Sequence, residues 1–426
     1  MSLKVIELND AGIKIGTAQG IVAESPGFAI VFGDNLVLGA QAEQQARLHP
    51  TSSYNKYWHE LSMEALNHGN HLRHTADIAF AHLLHLAEIG EVDAETIFAM
   101  PSSYSHQQLA ILLGIAKKSP ITPVGVVDTA VLAAVAAGIS SSALYIDFQL
   151  HQVVVTQLSV SEGLIHCEAV VQIPGVGSQN FVNLIMQQAT NSFIEQCRFN
   201  PQHNAEYEQL LYNQLPVWLE QYNESQTNLV LELKTRDATH TAKMPKEGLI
   251  ASLQGYYKKI AQELAPLIID SRTQIILNKR LGSMPGFLAS LPSDRRKVVL
   301  KPHDICQACI NSAENIVHHS GSIHWVKSLP AKFADDSGKL AGSDTELGPT
   351  HFLLFHTAIP LAGLNQYLPD SIISSPDESV FVDSKTEFSL NDRLVSGRQR
   401  LRLGDTLDLG SNQDRITIIR VSDGQH

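Results

Sequence analysis

Near the amino-terminal end, apolar and polar positions alternate in short runs separated by turn formers. Val5-Ile6-Glu7-Leu8 leads into Asn9-Asp10-Ala11-Gly12 and then Ile13-Lys14-Ile15-Gly16. That is a hairpin pattern, because Asn, Asp and Gly tolerate the positive φ of a tight turn. Residues 28–32 and 36–38 predict two more short strands around Gly33-Asp34-Asn35. The period then changes. Ala76, Ala79, Leu83 and Leu86 fall at steps of three and four, so an amphipathic helix is predicted over 72–89. Residues 96–100 form a short buried strand that stops at Pro101, and Ser105 is placed to cap a helix with Leu109, Leu112, Leu113 and Ile115 on its apolar face. A strand at 124–127 and an Ala-rich helix over 129–137, packed on all sides, complete the first module.

A second module starts near residue 143 and repeats the strand, turn, strand opening, with strands at 143–147 and 153–156 around 148–152. Helices are expected at 178–197, 201–221 and 248–269, and strands at 229–233 and 274–277, the latter running into 278–286. A closing helix is expected over 303–316, completing the second lobe. Strands alternating with helices imply an α/β architecture. From 330 to 350 the composition shifts to Asp, Ser, Gly and Lys, with Lys332 and Lys339 among them, and a linker is expected there. Residues 351–421 carry short alternating strands and no helical period, the pattern of a small β module.

Composition narrows the function classes. A chain of 426 residues allows two or three domains, and 44% apolar against 17% charged residues supplies packed cores. The net charge of -12 repels a phosphate backbone, so nucleic acid is not an expected partner. Four cysteines make no disulfide framework and point to a reducing compartment. Lys4, Glu7 and Asp10 interrupt any signal-peptide core, and the longest uncharged apolar stretch, 129–146, is broken by Gly138 and Ser140-Ser141-Ser142. A soluble cytoplasmic protein without a membrane partner is expected. His59, His68, His71, His74, His82 and His85 cluster in sequence, and the reading preferred for them is solvated or edge histidines rather than metal ligands. Cys306-Gln307-Ala308-Cys309 has no second cysteine pair and falls in a helix, so buried small side chains are expected there and no metal site.

The order of elements carries a resemblance. Met100-Pro101-Ser102 before a Gln-rich helix, Val127-Asp128-Thr129-Ala130, Leu38-Gly39-Ala40-Gln41-Ala42 through His49-Pro50-Thr51, Pro174-Gly175-Val176-Gly177 through Phe181, and Asp304-Ile305-Cys306-Gln307-Ala308 follow one another. In this order residues 1–325 resemble the actin-like ATPase superfamily, and specifically the nucleotide-binding region of the seventy-kilodalton heat-shock chaperones. The resemblance implies a two-lobed, ribonuclease H-like α/β body, with lobes over 1–142 and 143–329, then the linker and a β-sandwich tail over 351–426. It also implies three glycine-rich turns that bring backbone N–H groups onto the phosphates of ATP, beside carboxylates that hold hydrated Mg²⁺.

All three turns differ here. Ile6-Glu7-Leu8-Asn9-Asp10-Ala11 replaces Ile-Asp-Leu-Gly-Thr-Thr, with a shifted alternative that places the acid at Asp10 and Gly12 behind it. Ile146-Asp147-Phe148-Gln149-Leu150-His151-Gln152 keeps the acid but no glycine, and Ile276-Leu277-Asn278-Lys279-Arg280 stands for Val-Gly-Gly-Ser. On this resemblance Glu7, Asp128 and Asp147 would handle Mg²⁺ and water, and Asn9, Asp10, Gln149, Asn278, Lys279 and Gly282 would line the nucleotide. With bulky residues where backbone must approach phosphate, the expectation is a non-catalytic or weakly nucleotide-binding scaffold acting through protein contacts. The alternatives are a Mg-dependent ATPase with remodelled loops, and a binder of chaperone clients. In the tail, Val380-Phe381-Val382-Asp383-Ser384, Leu390-Asn391-Asp392-Arg393-Leu394 and Leu403-Gly404-Asp405 through Gly410 resemble the second half of a forkhead-associated domain. Residues 351–379 lack the Arg and Ser-x-x-His by which that family recognises phosphothreonine. Arg398, Arg400 and Arg402 share one strand face, read as solvated.

Overall fold

The computed structural model describes residues 3–33, 35–65, 72–92, 95–222, 227–268, 270–317, 323–331, 350–354, 357–361, 364, 371–374, 380–391, 393–401, 404–408 and 415–419. They form two units, split at 342/343. The first unit opens with strands β1 (Lys4–Glu7), β2 (Ile13–Thr17) and β3 (Gly20–Ser25) in an antiparallel meander. A three-stranded flap follows, with β4 (Ala29–Phe32), β5 (Asn35–Leu38), the short helix α1 (Gly39–Glu43) and β6 (Ser53–Tyr54). Helix α2 (Thr75–Ile89) and strand β7 (Glu95–Met100) come next, and β7 runs parallel to β1. Helix α3 (His106–Ala116) starts at Ser105, whose side chain accepts from the Gln108 amide while Gln108 reaches back to the Ser105 amide. That reciprocal capping box satisfies two donors that a bare helix start leaves open. Strand β8 (Thr122–Asp128) adds parallel to β7, and Asp128 caps α4 (Thr129–Ala137), buried from Thr129 to Val135.

The second sheet repeats this plan. Strands β9 (Ala143–Phe148), β10 (Gln152–Ser161) and β11 (Leu164–Pro174) form the meander. Helices α5 (Ser178–Cys197) and α6 (Ala205–Glu220), the hairpin β12 (Asn228–Lys234) and β13 (Thr239–Pro245), and helix α7 (Lys246–Leu264) separate it from β14 (Gln274–Asn278). Two short helices, α8 (Lys279–Gly282) and α9 (Phe287–Ser290), lead to β15 (Lys297–Leu300), and β14 and β15 lie parallel to β9. Each sheet therefore reads as a three-strand meander followed by two parallel strands, the parallel ones needing helical crossovers. The body is mixed α/β.

The closing segment differs from expectation. Instead of one helix over 303–316, α10 (Asp304–Asn311) and α11 (Ala313–Ile316) are separated at Ser312, whose φ of -110° and ψ of 11° are not helical. Instead of completing the second lobe alone, α10 packs against β1, β2 and α4, and Ile305, Cys306 and Cys309 share a buried cluster with Val5, Ile97, Ala130 and Val131. The apolar stripe of α10 is only two turns long, and Ser312 ends it. The pattern announces no strand between this helix and the expected linker, yet β16 (Trp325–Val326) extends the first sheet beside β8 and β17 (Ser328–Pro330) extends the second beside β11. Of the expected linker, 332–349 lies outside the described residues, Lys332 and Lys339 included. Ala331 is buried.

The tail, described by itself, is a small antiparallel sheet of β18 (His351–Leu354), β19 (Thr357–Pro360), β20 (Ser371–Ser374), β21 (Val380–Leu390), β22 (Arg393–Leu401), β23 (Thr406–Asp408) and β24 (Arg415–Ile419). Phe352, Val382, Leu401, Leu407, Ile416 and Ile418 form its core. Asn391 turns the β21–β22 hairpin at φ 51° and its amide bridges to Asp405 and the Thr406 backbone. Arg398 and Arg400 are exposed, with Arg398 over the Phe381 ring; Arg402, Leu403 and Gly410 lie outside the described residues. Among the described residues no helix is long and apolar enough to cross a membrane.

Candidate functional site

Two hairpin turns, one from each sheet, meet in the body. In the β1–β2 turn, the Asn9 side chain folds over its own turn, accepting from the Ala11 amide at 2.9 Å. Its amide nitrogen donates to Asp147 Oδ1 at 2.8 Å and to the Phe148 carbonyl at 3.2 Å. Asp10 Oδ1 accepts from the Leu150 amide at 2.8 Å. In the β9–β10 turn, Gln149 donates to Asp147 Oδ2 and accepts from Gln152, both at 2.9 Å. The start of α5 closes the turn from the other side, where the Ser178 and Gln179 amides donate to the Gln149 and Leu150 carbonyls. That contact requires Gly177, since a Cβ there would sit 2.4 Å from the His151 and Gln152 backbone.

The structure thus brings Asn9, Asp10, Asp147 and Gln149 together. Glu7 lies one step back on β1, ion-paired with Lys14 at 3.0 Å and 3.9 Å from Cys306 Sγ. Burial works against the charge on Lys14, but the charge and hydrogen bonds of Glu7, with Glu24 and Cys306 adding to them, hold the ammonium pKa above its usual value. Asp128 is spent on capping α4 and accepts from Ser102 Oγ at 2.7 Å. The expected third turn plays another part. Asn278 caps α8 by accepting from Leu281, Lys279 points to solvent, and Gly282 is where α8 meets Val299, with a would-be Cβ only 2.7 Å from it. It is Arg280 that reaches the first turn, donating to the Ala11 carbonyl and to Glu24.

Burial dominates the electrostatics. It pushes Asp10 up to about 7 and Asp147 up to about 6, against hydrogen bonds that pull the other way. Asp128 is raised for the same reason. Asp10 Oδ2 is buried and has no hydrogen-bond partner. The residue Asp10 also borders a pocket of about 280 Å³, together with Trp58, His59, Tyr104, Gln149 and Gln152.

These residues do not fit a nucleoside triphosphate with Mg²⁺. Four backbone donors of the two turns are already in use: Leu150 by Asp10, Gln149 by the Gln152 carbonyl, Ala11 by Asn9 Oδ1 and Gly12 by the Asn9 carbonyl. Among the described residues no three His, Cys, Asp or Glu side chains cluster as metal ligands.

Sequence reasoning did not single out Trp58, Tyr104, Gln152, Arg280 or Lys14 for the site. Lys14 was legible, because a β1–β2 hairpin turning at Asn9–Gly12 sets it opposite Glu7. The histidine reading needs correction at His82, which is fully buried rather than solvated. The indole of Trp58 is a donor only and binds His82 Nδ1 at 3.0 Å, so Nε2 carries the proton and faces Ser25 Oγ at 2.8 Å. Burial drives its pKa down to about 3, which keeps the ring neutral. His68 and His71 lie outside the described residues. Cys306 and Cys309 are buried and free, with thiol pKa values raised by burial.

No protein-family model matches the chain, and a comparison with curated proteins finds no match.

Proposed function

We propose that the body is a heat-shock-chaperone-like actin-fold protein that has given up nucleotide chemistry and acts through protein contacts as a scaffold. The order of the two sheets, each a meander followed by parallel strands, supports the actin-like, two-lobed reading. The observation that carries the functional reading is the hydrogen bond from the Leu150 amide to Asp10. On this reading the chain's own carboxylate takes the part that a phosphate plays in the family, and Asn9 ties the same turns together. The tail, on this reading, is a forkhead-associated-like β-sandwich without phosphothreonine recognition, and the protein works in the cytoplasm.

Each phosphate–amide hydrogen bond is charge-assisted and contributes roughly 1.5–3 kcal/mol. Losing two or three of them takes an affinity from micromolar to millimolar or weaker. A calorimetric titration with Mg-ATP tests this. The expected result is no saturable heat in the micromolar range. Low-micromolar binding, or steady phosphate release lost in Asp147→Asn, would favour the remodelled ATPase instead.

A further inference from the structure

The short segment 325–330 fills a groove between one edge of each sheet. Its first half, β16, lies parallel to β8 and pairs Trp325 with Val126 and Val326 with Val127. Its second half, β17, lies antiparallel to β11, where Leu329 meets Ile165 and is buried. Lys327 alone separates the halves. Burial raises the Asp128 pKa and Lys327 pulls it back, so the ammonium and that carboxylate interact. Because the two sheets repeat one strand order, the same groove occurs a second time, between β15 and β3.

The strand registers fix the counterparts. Ile6 pairs with Phe98 and Phe98 with Val126; Ile146 pairs with Leu277 and Leu277 with Val299. Ile6-Glu7 and Ile146-Asp147 stand at the same place before their turns, so Val299, Leu300 and Lys301 correspond to Val126, Val127 and Asp128. The pairs Thr17–Gly20 and Ser161–Leu164 each close a two-residue turn, so Gly20 and Ile21 correspond to Leu164 and Ile165.

Among the described residues nothing pairs with the outer edge of β3 or of β15. The Ile275 amide donates to the Arg296 carbonyl, so by strand alternation the backbone groups of Lys297 and Val299 point outward. The two edges face each other. Arg280 of α8 ion-pairs with Glu24 of β3 at 3.1 Å, and Gly20, Ile21, Pro302, His303 and Gln307 border a cavity of about 440 Å³. What differs from the filled groove is charge. Lys301 stands in place of Asp128 and is exposed, with Arg296 and Lys297 on the same strand edge. The acids nearby are engaged, Glu24 by Arg280 and Asp304 by the Lys301 amide and His303.

We infer that the groove between β15 and β3 binds an extended, acidic segment of a partner protein by strand addition, parallel to β15 and then antiparallel to β3. Its central residue is an Asp or Glu facing Lys301, and an apolar side chain enters the cavity beside Ile21. A second copy of this chain would bring the same basic edge against itself, and like charges across a ladder are destabilising. This docking gives the scaffold reading a partner surface, but it rests on the repeated strand order and not on lost nucleotide binding.

The test uses the full chain and fluorescein-labelled hexapeptides, with binding read by anisotropy. The acidic probe is Trp-Val-Asp-Ser-Leu-Pro, the order of the segment in the filled groove with its central lysine made acidic. A second probe keeps Lys at the centre, and a third carries Asp with Pro in place of Val, which removes a donor from the ladder. The expected result is saturable binding of the acidic probe, weakened about fivefold or more in each of the others. Lys301→Glu should reverse the order of the acidic and lysine probes, a gain that no unfolded variant shows. No saturable binding, equal binding of the acidic and lysine probes, an undiminished proline probe, or an unchanged order in Lys301→Glu overturns the inference. So does a wild-type dimer that the acidic probe dissociates, since a second copy would then hold the groove. Mg-ATP titrated separately keeps the two readings apart: micromolar ATP binding overturns the scaffold reading alone, and failure of the peptides overturns the docking groove alone.

Discussion

The turn at Asn9–Gly12 contributes side chains to the contact between the sheets, whereas the turn at 149–151 contributes backbone. Asn9 and Asp10 reach across; Leu150 and Phe148 offer an amide and a carbonyl, and α5 closes behind them. Two strand–turn–strand units with the same order thus play opposite chemical parts. The first supplies charge in the form of a buried carboxylate, and the second supplies the dipoles that receive it. The contrast teaches that polar groups of two turns can satisfy one another directly, leaving no ligand needed to bridge them. What remains over is Asp10 Oδ2.

The largest effect should come from breaking the backbone side of this contact. Gly177→Ala forces a Cβ into backbone atoms 2.4 Å away, and backbone cannot yield as a flexible side chain would. Denaturant unfolding should show a loss of roughly 2–4 kcal/mol. Gly255→Ala, an exposed position within α7 with no atom within 4 Å of the added carbon, should instead be neutral or stabilise by up to about 1 kcal/mol. Equal effects at the two glycines would mean that α5 does not brace the turn.

A smaller effect, with a defined sign, is expected on the side-chain half. Asp10 is raised from 3.8 to about 7 and Asp147 from 3.8 to about 6, so the folded chain holds protons that the unfolded chain has released. Stability contributed by these groups is therefore full at low pH and falls as pH rises from about 4 through about 7. Asp10→Asn removes its share of that fall. The variant should gain on wild type by roughly 2 kcal/mol or more between about pH 5 and pH 8, since one pKa unit corresponds to about 1.4 kcal/mol. His82, held neutral with a pKa near 3, acts in the opposite direction, but it is common to both proteins and drops out of the difference. A difference independent of pH would contradict the burial of an ionisable Asp10.

Much of the local structure was legible. Ser105, Asp128 and the turn Asn9-Asp10-Ala11-Gly12 announce a cap, a cap and a hairpin, because each acts on backbone a few residues away. Strand β11 was missed although Glu162 and Gly163, at φ 53° and 74°, form the kind of turn that marks a hairpin. Its face is largely exposed and carries Glu168 and Gln172, so the apolar alternation is faint. The site was only partly legible for a different reason. Asn9, Asp10, Asp147 and Gln149 stand out as departures from a pattern, but which carboxylate meets which amide is decided by residues 140 positions apart. Arg280 and not Lys279 turns inward because Asn278 fixes where α8 begins, a detail no period in the chain reveals.

The Leu150 amide reports most directly on whether the turns are closed on each other. Hydrogen exchange at that amide, followed with and without Mg-ATP, should be slow in wild type, unchanged by nucleotide, and faster by about tenfold or more in Asp10→Ala, as the loss of one charge-assisted hydrogen bond implies. Rapid exchange in wild type, or protection that appears only when Mg-ATP is added, would contradict turns held closed by the Asp10 carboxylate.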